Sequence, residues 1–497
     1  MRRGAPAGLL RDTRAGIAVP MALITAAVLV MVGLAVDGSR AFLARDKFQA
    51  ALDSAALAVG TTYDTDAALD ALASQFVARN FDMPGTNVTH IDVTATAEDV
   101  FVTGQFELDT YFVQVLARET LTLGAQTDVK RAGGGLMVSL VLDNTGSMWS
   151  SGNIGALRGA AQALVDDVFD GKTEEPDLRF AVVPYAAAVN PGAVADDLIA
   201  LPRPHGFSNA GDETAWKGCV LERAGADSLA DTPPSTATWA PYYYPAGVDN
   251  AYTDGDPATI VPGGARNTNQ ITGPNIGCPT PILPLTSTKA AVDSALSSMT
   301  AWNRGGTLTD IGLAWGIRTL SPGHPFAESA VQTDDKNGQP IWDSPRWRRA
   351  LVLMTDGESG FYNFPGGGSA NQEGTSPNAS HPSGSDYTAY GRWNEPGSNA
   401  KALFENAPGY VRADGSTDTS TRGRLNRRIF DLCAAAKAQG IVVYTVVFTS
   451  KVGDDTREMY RRCASDPGKY WYAPTQTALT TAFEQVGSDL SKLRITR

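Results

Sequence analysis

The chain opens with a continuous apolar run and then changes its hydrophobic pattern twice. Residues 16–36 carry no charge over 21 positions, and as a helix they would extend roughly 31 Å, about the thickness of the hydrocarbon layer of a bilayer. Residues 37 to about 75 keep apolar side chains at helical spacing, whereas residues 88–130 alternate as strands do. From Leu136 onwards, strand-like apolar runs alternate with helical ones.

The alternation after Leu136 predicts a mostly parallel β-sheet with helices on both of its faces. The strand-like runs include LVLM and IVVYTVVF, whose nearly continuous apolar character is typical of central strands that are covered on both faces. Stretches rich in Gly, Pro, Ser, Asn and Asp interrupt this pattern at about 190–280 and 359–420. Loops of this length are usually functional or disordered, and plain surface insertion is an equal alternative for the second one.

Basic residues before the apolar run indicate how it would be oriented. Arg2, Arg3, Arg11 and Arg14 precede it, so the positive-inside rule leaves residues 1–15 in the cytoplasm and exports the remainder. A cleaved signal peptide is the alternative, but its apolar core would span about 7–15 residues and end at a small-residue site. Because this run is longer and continues into a helical pattern, we favour a retained single-pass transmembrane helix at 16–36 with the rest of the chain exported.

The four cysteines agree with an exported domain. An even number in such a domain predicts two disulfides, and three pairings are open. The pairing Cys219–Cys278 with Cys433–Cys463 is favoured because each pair brackets one block of sequence. Four buried free thiols would be the expectation only for a cytosolic domain.

Charge and motif content exclude several functional classes. The net charge is −12, which disfavours nucleic acid as a partner because its phosphates attract clusters of Lys and Arg. The four histidines form no HExxH or paired spacing, so a zinc hydrolase is not expected. No GxxxxGK[ST] phosphate-binding loop and no GxSxG nucleophile elbow occur, so neither a nucleotide nor an acyl-enzyme mechanism is predicted.

Oxygen-bearing side chains follow two of the predicted strands. Asp143 ends the strand 136–143 and is followed by Thr145 and Ser147, while Asp356 ends the strand containing LVLM. Since ligands bind beyond the carboxyl ends of parallel strands, both carboxylates should face one edge, where the RGGTLTD loop adds Thr307. Two carboxylates and three hydroxyls form an all-oxygen set that suits Mg²⁺, with Mn²⁺ or Ca²⁺ as alternatives. Taken singly, each element also has an ordinary explanation as a cap or turn.

Three motifs at these positions resemble those of a known domain. DNTGS, GGT and MTDGES resemble the metal-ion-dependent adhesion site, or MIDAS, of von Willebrand factor type A domains. The resemblance implies a doubly wound, mostly parallel sheet with one antiparallel edge strand, and both insertions near the metal face. It carries the metal-binding role to Asp143, Thr145, Ser147, Thr307 and Asp356. Thr145 departs from the usual D-x-S-x-S but keeps a hydroxyl, and Thr309 is a weaker alternative to Thr307.

The wider chain resembles the TadG-like proteins of the Flp (tight adherence) pilus assembly system. The matching stretches include GLAVDGSRAFLARDKFQAALDSAALA, GCPTPILPLT and the closing LSKLRITR. The resemblance implies a helix plus strand-rich TadE/TadG-like region at 37–132 and an A domain at 133–497. Small pilin-like relatives are cut after a Gly by a peptidase that requires a Glu, but Met21 stands where that Glu would follow Gly16, which favours a retained anchor.

These features favour a binding module over an enzyme. The leading hypothesis is a membrane-anchored periplasmic module that uses Mg²⁺ to bind an acidic group on another pilus-assembly or envelope protein. The alternative is a surface or envelope cell-adhesion protein that uses the same A domain outside a pilus system. A metal-dependent hydrolase lacks an obvious general base, a purely structural metal would leave the function to the anchor region, and a chelatase-type role conflicts with export and disulfides.

Overall fold

A computed structural model describes the chain from residue 18 to residue 494 with internal gaps. The segments outside the description are 63, 97–98, 117–118, 131–133, 193–197, 200–203, 209–210, 231, 248, 263–270, 303, 323–324, 327–339, 343, 345, 362–385, 393–398 and 405–406. The predicted cytoplasmic segment 1–15 and most of the second predicted insertion therefore lie outside the described residues. Two compact units divide the chain between residues 132 and 133, and each is described by itself.

The first unit packs two helices on a three-stranded antiparallel sheet. Helix α1 (Ala18–Gly60) is followed by α2 (Asp66–Asn80), so the helical pattern predicted from 37 to about 75 is divided by a short break. The side chain of Thr65 caps α2 by accepting a hydrogen bond from the backbone N–H of Ala68. The strands β1 (Thr86–Ala95), β2 (Asp99–Asp109) and β3 (Thr120–Lys130) lie in that order in the sheet.

Helix α1 has two halves with different surroundings. In its second half, apolar residues at helical spacing, among them Phe48, Leu52 and Val59, are fully buried against α2 and the sheet. In its first half, the large apolar side chains from Val19 to Val36 are exposed. By length and composition this helix is suited to cross a membrane, a test that a signal sequence near the N-terminus also passes.

The second unit is built around a six-stranded, mostly parallel sheet, as the alternation predicts. The described strands of this unit are β4 (Gly135–Asp143), β5 (Leu178–Tyr185), β6 (Val220–Leu221), β7 (Ala240–Pro241), β8 (Leu283–Thr286), β9 (Gly306–Thr307), β10 (Trp347–Thr355), β11 (Gly360–Phe361), β12 (Tyr410–Val411), β13 (Thr417–Asp418), β14 (Ile441–Val447) and β15 (Tyr470–Tyr472). The strand order of the six-stranded sheet is β15-β14-β10-β4-β5-β8. Its described pairings are parallel except for that of β8 with β5, at one edge.

Both faces of this sheet are buried, and its strands alternate between two apolar clusters. In β4, Met137 and Val141 point into one cluster, whereas Leu136, Val138 and Leu140 point into the other. Residues of α5, α7 and α8 belong to the first cluster, and residues of α3, α4 and α9 belong to the second. The helices of this unit are α3 (Asn153–Phe169), α4 (Lys289–Ser298), α5 (Thr309–Thr319), α6 (Asn399–Phe404), α7 (Thr421–Ala438), α8 (Asp454–Cys463) and α9 (Gln476–Arg494).

Two disulfides tie segments of the second unit together. Cys219 is bonded to Cys278 across a separation of 59 residues, and Cys433 is bonded to Cys463 across 30 residues. The first bond closes much of the chain between β5 and β8, and the second joins α7 to α8. Bridges of this kind stabilise mainly by restricting the unfolded chain, with a larger effect for the longer loop.

Candidate metal site at the carboxyl edge of the sheet

Parallel pairing of β4 and β10 brings two carboxylates to one edge of the sheet. Asp143 is the last residue of β4, and Asp356 directly follows the last residue of β10. The two strands run in parallel register with Leu142 opposite Met354. Asp143 is fully buried and Asp356 is only 6% exposed, so both acidic side chains are largely removed from solvent.

Two hydroxyls on the loop after β4 lie between these carboxylates. The Thr145 hydroxyl donates to Asp143 Oδ1 at 2.6 Å and lies 3.1 Å from the Ser147 hydroxyl. The Ser147 hydroxyl donates to Asp356 Oδ1 at 2.7 Å, and Thr145 Oγ1 lies 3.5 Å from the same oxygen. Four of the five side chains predicted as metal ligands therefore meet in one cluster.

A second layer of donors fixes the orientation of Asp143. Its Oδ2 accepts from the Thr355 hydroxyl at 3.0 Å, from the backbone N–H of Asp356 at 3.2 Å and from the Tyr185 hydroxyl at 3.2 Å. Neither Tyr185 nor Thr355 is predicted as a site residue from the sequence pattern. The register of β4 and β5 places Asp143 beside Tyr185, so strand adjacency is the signal that points to this residue.

Burial and mutual repulsion disfavour ionisation of both carboxyls. Burial raises the pKa of Asp143, although its hydrogen bonds from Thr145, Asp356 and Thr355 act in the opposite direction. Burial and then the charge of Asp143 raise the pKa of Asp356 well above its usual range. Among the described residues, no Lys, Arg or His forms an ion pair with either group. A cation bound between them would relieve both penalties.

Thr307 lies at the same edge but outside this cluster. It belongs to β9, is half-buried and pairs with Gly360, four residues after Asp356. Within the described part of the chain, its hydroxyl makes no hydrogen bond to the other four predicted ligands. Thr309, the weaker alternative, is fully buried beneath the site, where it accepts a hydrogen bond from Ser359 at 3.0 Å and lies 3.4 Å from the Tyr185 hydroxyl.

The loop that carries Thr307 is held in an unusual backbone conformation. Arg304 has a φ of 75°, in the left-handed region, and Gly305 follows with a φ of 85°. A Cβ at Gly305 would lie 2.1 Å from the Cβ of Ala187, so only glycine fits at this approach. The close approach to Ala187 therefore restricts the backbone of this loop at Gly305.

A buried ion network stabilises that conformation and reaches both predicted insertions. Arg304 donates to Asp386 Oδ1 at 2.9 Å and to Asp249 Oδ2 at 3.1 Å, and the N–H of Gly305 donates to Asp386 Oδ2 at 3.2 Å. Arg392 donates to both oxygens of Asp249. Asp249 comes from the first interruption, whereas Asp386 and Arg392 come from the second. Residues from both interruptions of the strand–helix pattern thus meet at the loop beside the candidate site.

The donor set of the cluster fits a hard divalent cation. Its side chains are two carboxylates and two hydroxyls, all oxygen donors of the kind that Mg²⁺, Mn²⁺ and Ca²⁺ bind. No group of three or more His, Cys, Asp or Glu side chains suited to a metal occurs among the described residues. The cluster reaches the surface through Ser147, which is exposed, and Trp149 nearby is 42% exposed.

Comparison with known proteins identifies the N-terminal segment. Residues 16–64 match the sequence model of the Flp pilus-assembly TadE/G-like family, Tad. The matched segment includes all of α1 and ends just before α2. No curated protein sequence matches the chain.

Solved structures similar to the chain include proteins of pili. The pilus adhesin SpaC from Lactobacillus rhamnosus GG, in its open conformation, is 15% identical, with 83% of this chain and 34% of SpaC covered and a TM-score of 0.33. The vWF domain of the type V pili tip protein Mfa5 from Porphyromonas gingivalis is 12% identical over 73% of this chain and 97% of that chain, with a TM-score of 0.34. Proximal thread matrix protein 1 from the mussel byssus, with a zinc-occupied MIDAS motif, is 10% identical over 73% of this chain and 46% of that chain, with a TM-score of 0.28. The chain thus spans about a third of the length of SpaC.

Replacing Asp356 by Asn should stabilise the metal-free second unit at neutral pH. Because folding raises the pKa values of the carboxyl pair, the contribution of this pair to stability is fully present below about pH 4 and is lost as the pH rises through the raised values. This loss amounts to at most about 1.4 kcal/mol per pH unit for each proton released. Asp356→Asn removes one of the two charges, so the free energy of unfolding of the variant should exceed that of the wild type by a margin that grows with pH.

Urea denaturation in the presence of a chelator, repeated at several pH values, measures this margin. Asp167→Asn provides a matched control, because Asp167 is an exposed carboxylate of α3. The control should follow the wild type at every pH. A variant–wild-type difference that does not change with pH would show that the pair carries no electrostatic cost.

Proposed function

We propose that this protein is a membrane-anchored periplasmic module that binds other proteins in a metal-dependent manner during Flp/Tad pilus assembly or anchoring. In this proposal, residues 16–36 form the transmembrane helix in the inner membrane and residues 37–132 form the TadE/TadG-like region. Residues 133–497 form a doubly wound von Willebrand factor A-like domain with insertions at about 190–280 and 359–420. The match of residues 16–64 to the TadE/G-like family supports the link to pili.

The observation that carries the proposal is the convergence of Asp143, Thr145, Ser147 and Asp356. Two buried carboxylates without an ion-paired partner among the described residues are costly unless a cation neutralises them. The four residues would hold Mg²⁺, or Mn²⁺ or Ca²⁺ in its place, with Thr307 as the proposed fifth contributor. When bound, the cation would offer a coordination position to a carboxylate from a partner protein.

The surface around the cluster suits a protein partner. Trp149 follows Ser147 by two positions within the short 3-10 helix Gly146–Gly152 and is 42% exposed. Tryptophan is enriched among the residues that contribute most of the binding energy at protein interfaces. The neighbouring RGGT loop is held in place by residues of both insertions, so these insertions would determine which partners can approach.

Calorimetric titration of Mg²⁺ into residues 133–497 tests the ligand set. Asp143→Ala and Ser147→Ala should each bind Mg²⁺ at least about tenfold more weakly than the wild type, since losing even an outer-sphere partner typically costs that much. Thr307→Val should weaken binding while leaving the metal-free stability unchanged. Thr309→Val should instead lower the metal-free stability by about 1–3 kcal/mol, because it leaves a buried hydrogen-bonding partner unsatisfied.

Wild-type affinity in every folded variant would contradict the assignment of the site. Equal effects of Thr307→Val and Thr309→Val on metal-free stability would assign Thr307 a structural role only. Asp167→Asn again serves as the control, and its affinity for Mg²⁺ should match that of the wild type.

Affinity capture tests the protein-binding role. The full-length protein in detergent is immobilised and exposed to an envelope extract from a bacterium that assembles Flp pili. Pilus-assembly or envelope proteins should be retained in Mg²⁺, released by chelator and absent from Asp143→Ala, because the partner's acidic group requires the bound cation. Recovery of the same proteins with Asp143→Ala, or with chelator present throughout, would contradict a metal-dependent interaction.

A further inference from the structure

The face of α1 that packs on the globular part of the first unit continues into the uncharged run. Gly33 is buried although its neighbours Val32, Leu34 and Val36 are 54%, 45% and 40% exposed. The side chain that covers it is Phe112, whose Cβ would lie 2.6 Å from a Cβ built at Gly33. Gly33 lies three residues inside the end of the run, or roughly 4.5 Å along the helix axis.

A buried carboxylate holds the segment that contains Phe112 against the helix. Asp37, one turn after Gly33, accepts hydrogen bonds from the backbone N–H groups of Tyr111 at 3.1 Å and of Phe112 and Val113 at 2.8 Å each. Burial opposes ionisation of Asp37, but these three donors and the charge of Arg40 outweigh it, so the pKa of Asp37 is lowered. Arg40 also lies over the Tyr111 ring, 3.9 Å from its centroid. The segment is therefore held at a defined position along the axis of α1.

The same segment presents aromatic side chains to its surroundings. Tyr111 and Phe112 are 54% and 49% exposed, although both are large and at least partly apolar. They connect β2 to the short 3-10 helix Val113–Leu116, at the end of the sheet that lies beside the uncharged part of α1. Tyrosine and other amphipathic aromatic side chains are enriched where a membrane protein meets the lipid headgroups.

We propose that Tyr111 and Phe112 insert into the headgroup–acyl boundary of the periplasmic leaflet and set the depth of the anchor. The inference rests on the proposed membrane anchoring of residues 16–36. Phe112 contacts α1 at Gly33 and therefore lies at the same depth as Val32, Leu34 and Val36. Lipid that surrounds these three side chains would also contact Phe112. The occupant of this aromatic surface is lipid rather than a second protein, because the surface is continuous with the bilayer-facing part of α1.

Depth-resolved fluorescence quenching tests the proposal on the full-length protein. Phe112→Cys and, separately, Tyr111→Cys are labelled with a thiol-reactive, environment-sensitive dye and reconstituted into vesicles of phosphatidylethanolamine and phosphatidylglycerol. The native cysteines are paired in disulfides, so labelling without reductant is directed to the new thiol. A fraction of the lipids carries a nitroxide near the glycerol backbone. Labels at both positions should shift to shorter emission wavelength and lose emission to the nitroxide lipid.

Phe101→Cys is the matched control for exposure and residue type. Phe101 is 45% exposed in the same unit but lies near the opposite end of β2. The label at position 101 should keep the emission wavelength typical of an aqueous environment. The nitroxide lipid should not reduce its emission. Met31→Cys, within the proposed membrane helix, reports insertion of the anchor itself.

The possible outcomes distinguish the membrane anchoring of α1 from the interfacial role of Tyr111 and Phe112. Quenching at positions 31, 111 and 112 but not at 101 supports the proposal. Quenching at 31 alone, with 111 and 112 behaving like 101, would overturn the interfacial role while leaving the anchor in place. No quenching at 31 would overturn both. Far-UV circular dichroism confirms folding of each labelled protein, and Tyr111→Cys, which spares the contact with Gly33, keeps the test valid if Phe112→Cys unfolds.

Discussion

The meeting of Asp143 and Asp356 at the ends of two adjacent parallel strands is the interaction on which the candidate site depends. The register of β4 and β10 fixes both carboxylates at one edge, and the burial of the sheet removes them from water. Two like charges so placed repel each other and are poorly solvated. The hydroxyls of Thr145 and Ser147 supply hydrogen bonds but no positive charge. A bound cation would relieve this repulsion, and the proposed coupling of metal binding to recognition rests on that electrostatic gain.

Other residues of the second unit hold the side chains and the loop at this edge of the sheet in position. The hydroxyls of Tyr185 and Thr355 donate hydrogen bonds to Asp143 Oδ2. These bonds hold the carboxylate in the orientation in which Oδ1 faces the cluster. On the other side, the network of Arg304, Asp249 and Asp386 holds the RGGT loop in its left-handed turn. Fully buried ion pairs contribute less to stability than their number suggests, but breaking one leaves an uncompensated charge. The network thus makes the position of this loop dependent on both insertions.

The sequence predicted the architecture because hydrophobic periodicity and strand ends are local signals. Alternating runs after Leu136 indicated the mostly parallel sheet, and the rule that ligands lie beyond the carboxyl ends of strands brought Asp143 and Asp356 together. Tyr185 was missed because FAVVPY is a core strand in composition, and its role depends on the neighbour that β5 acquires in the sheet. The contacts of Arg304 with Asp249 and Asp386 join residues 55 and 82 positions apart, which no local pattern reveals. The contact of Phe112 with Gly33 likewise joins residues that are far apart in the sequence. Thr307 remains a prediction because its hydroxyl does not join the cluster.

Anomalous diffraction from crystals of residues 133–497 grown with Mn²⁺ would test the central claim most directly. The account predicts one peak between Asp143 and Asp356, within about 2.0–2.3 Å of oxygen ligands that include Thr145 and Ser147. The same peak should be lost from crystals of Asp356→Asn. A Mn²⁺ ion bound elsewhere on the domain, with no peak between the two carboxylates, would contradict the account.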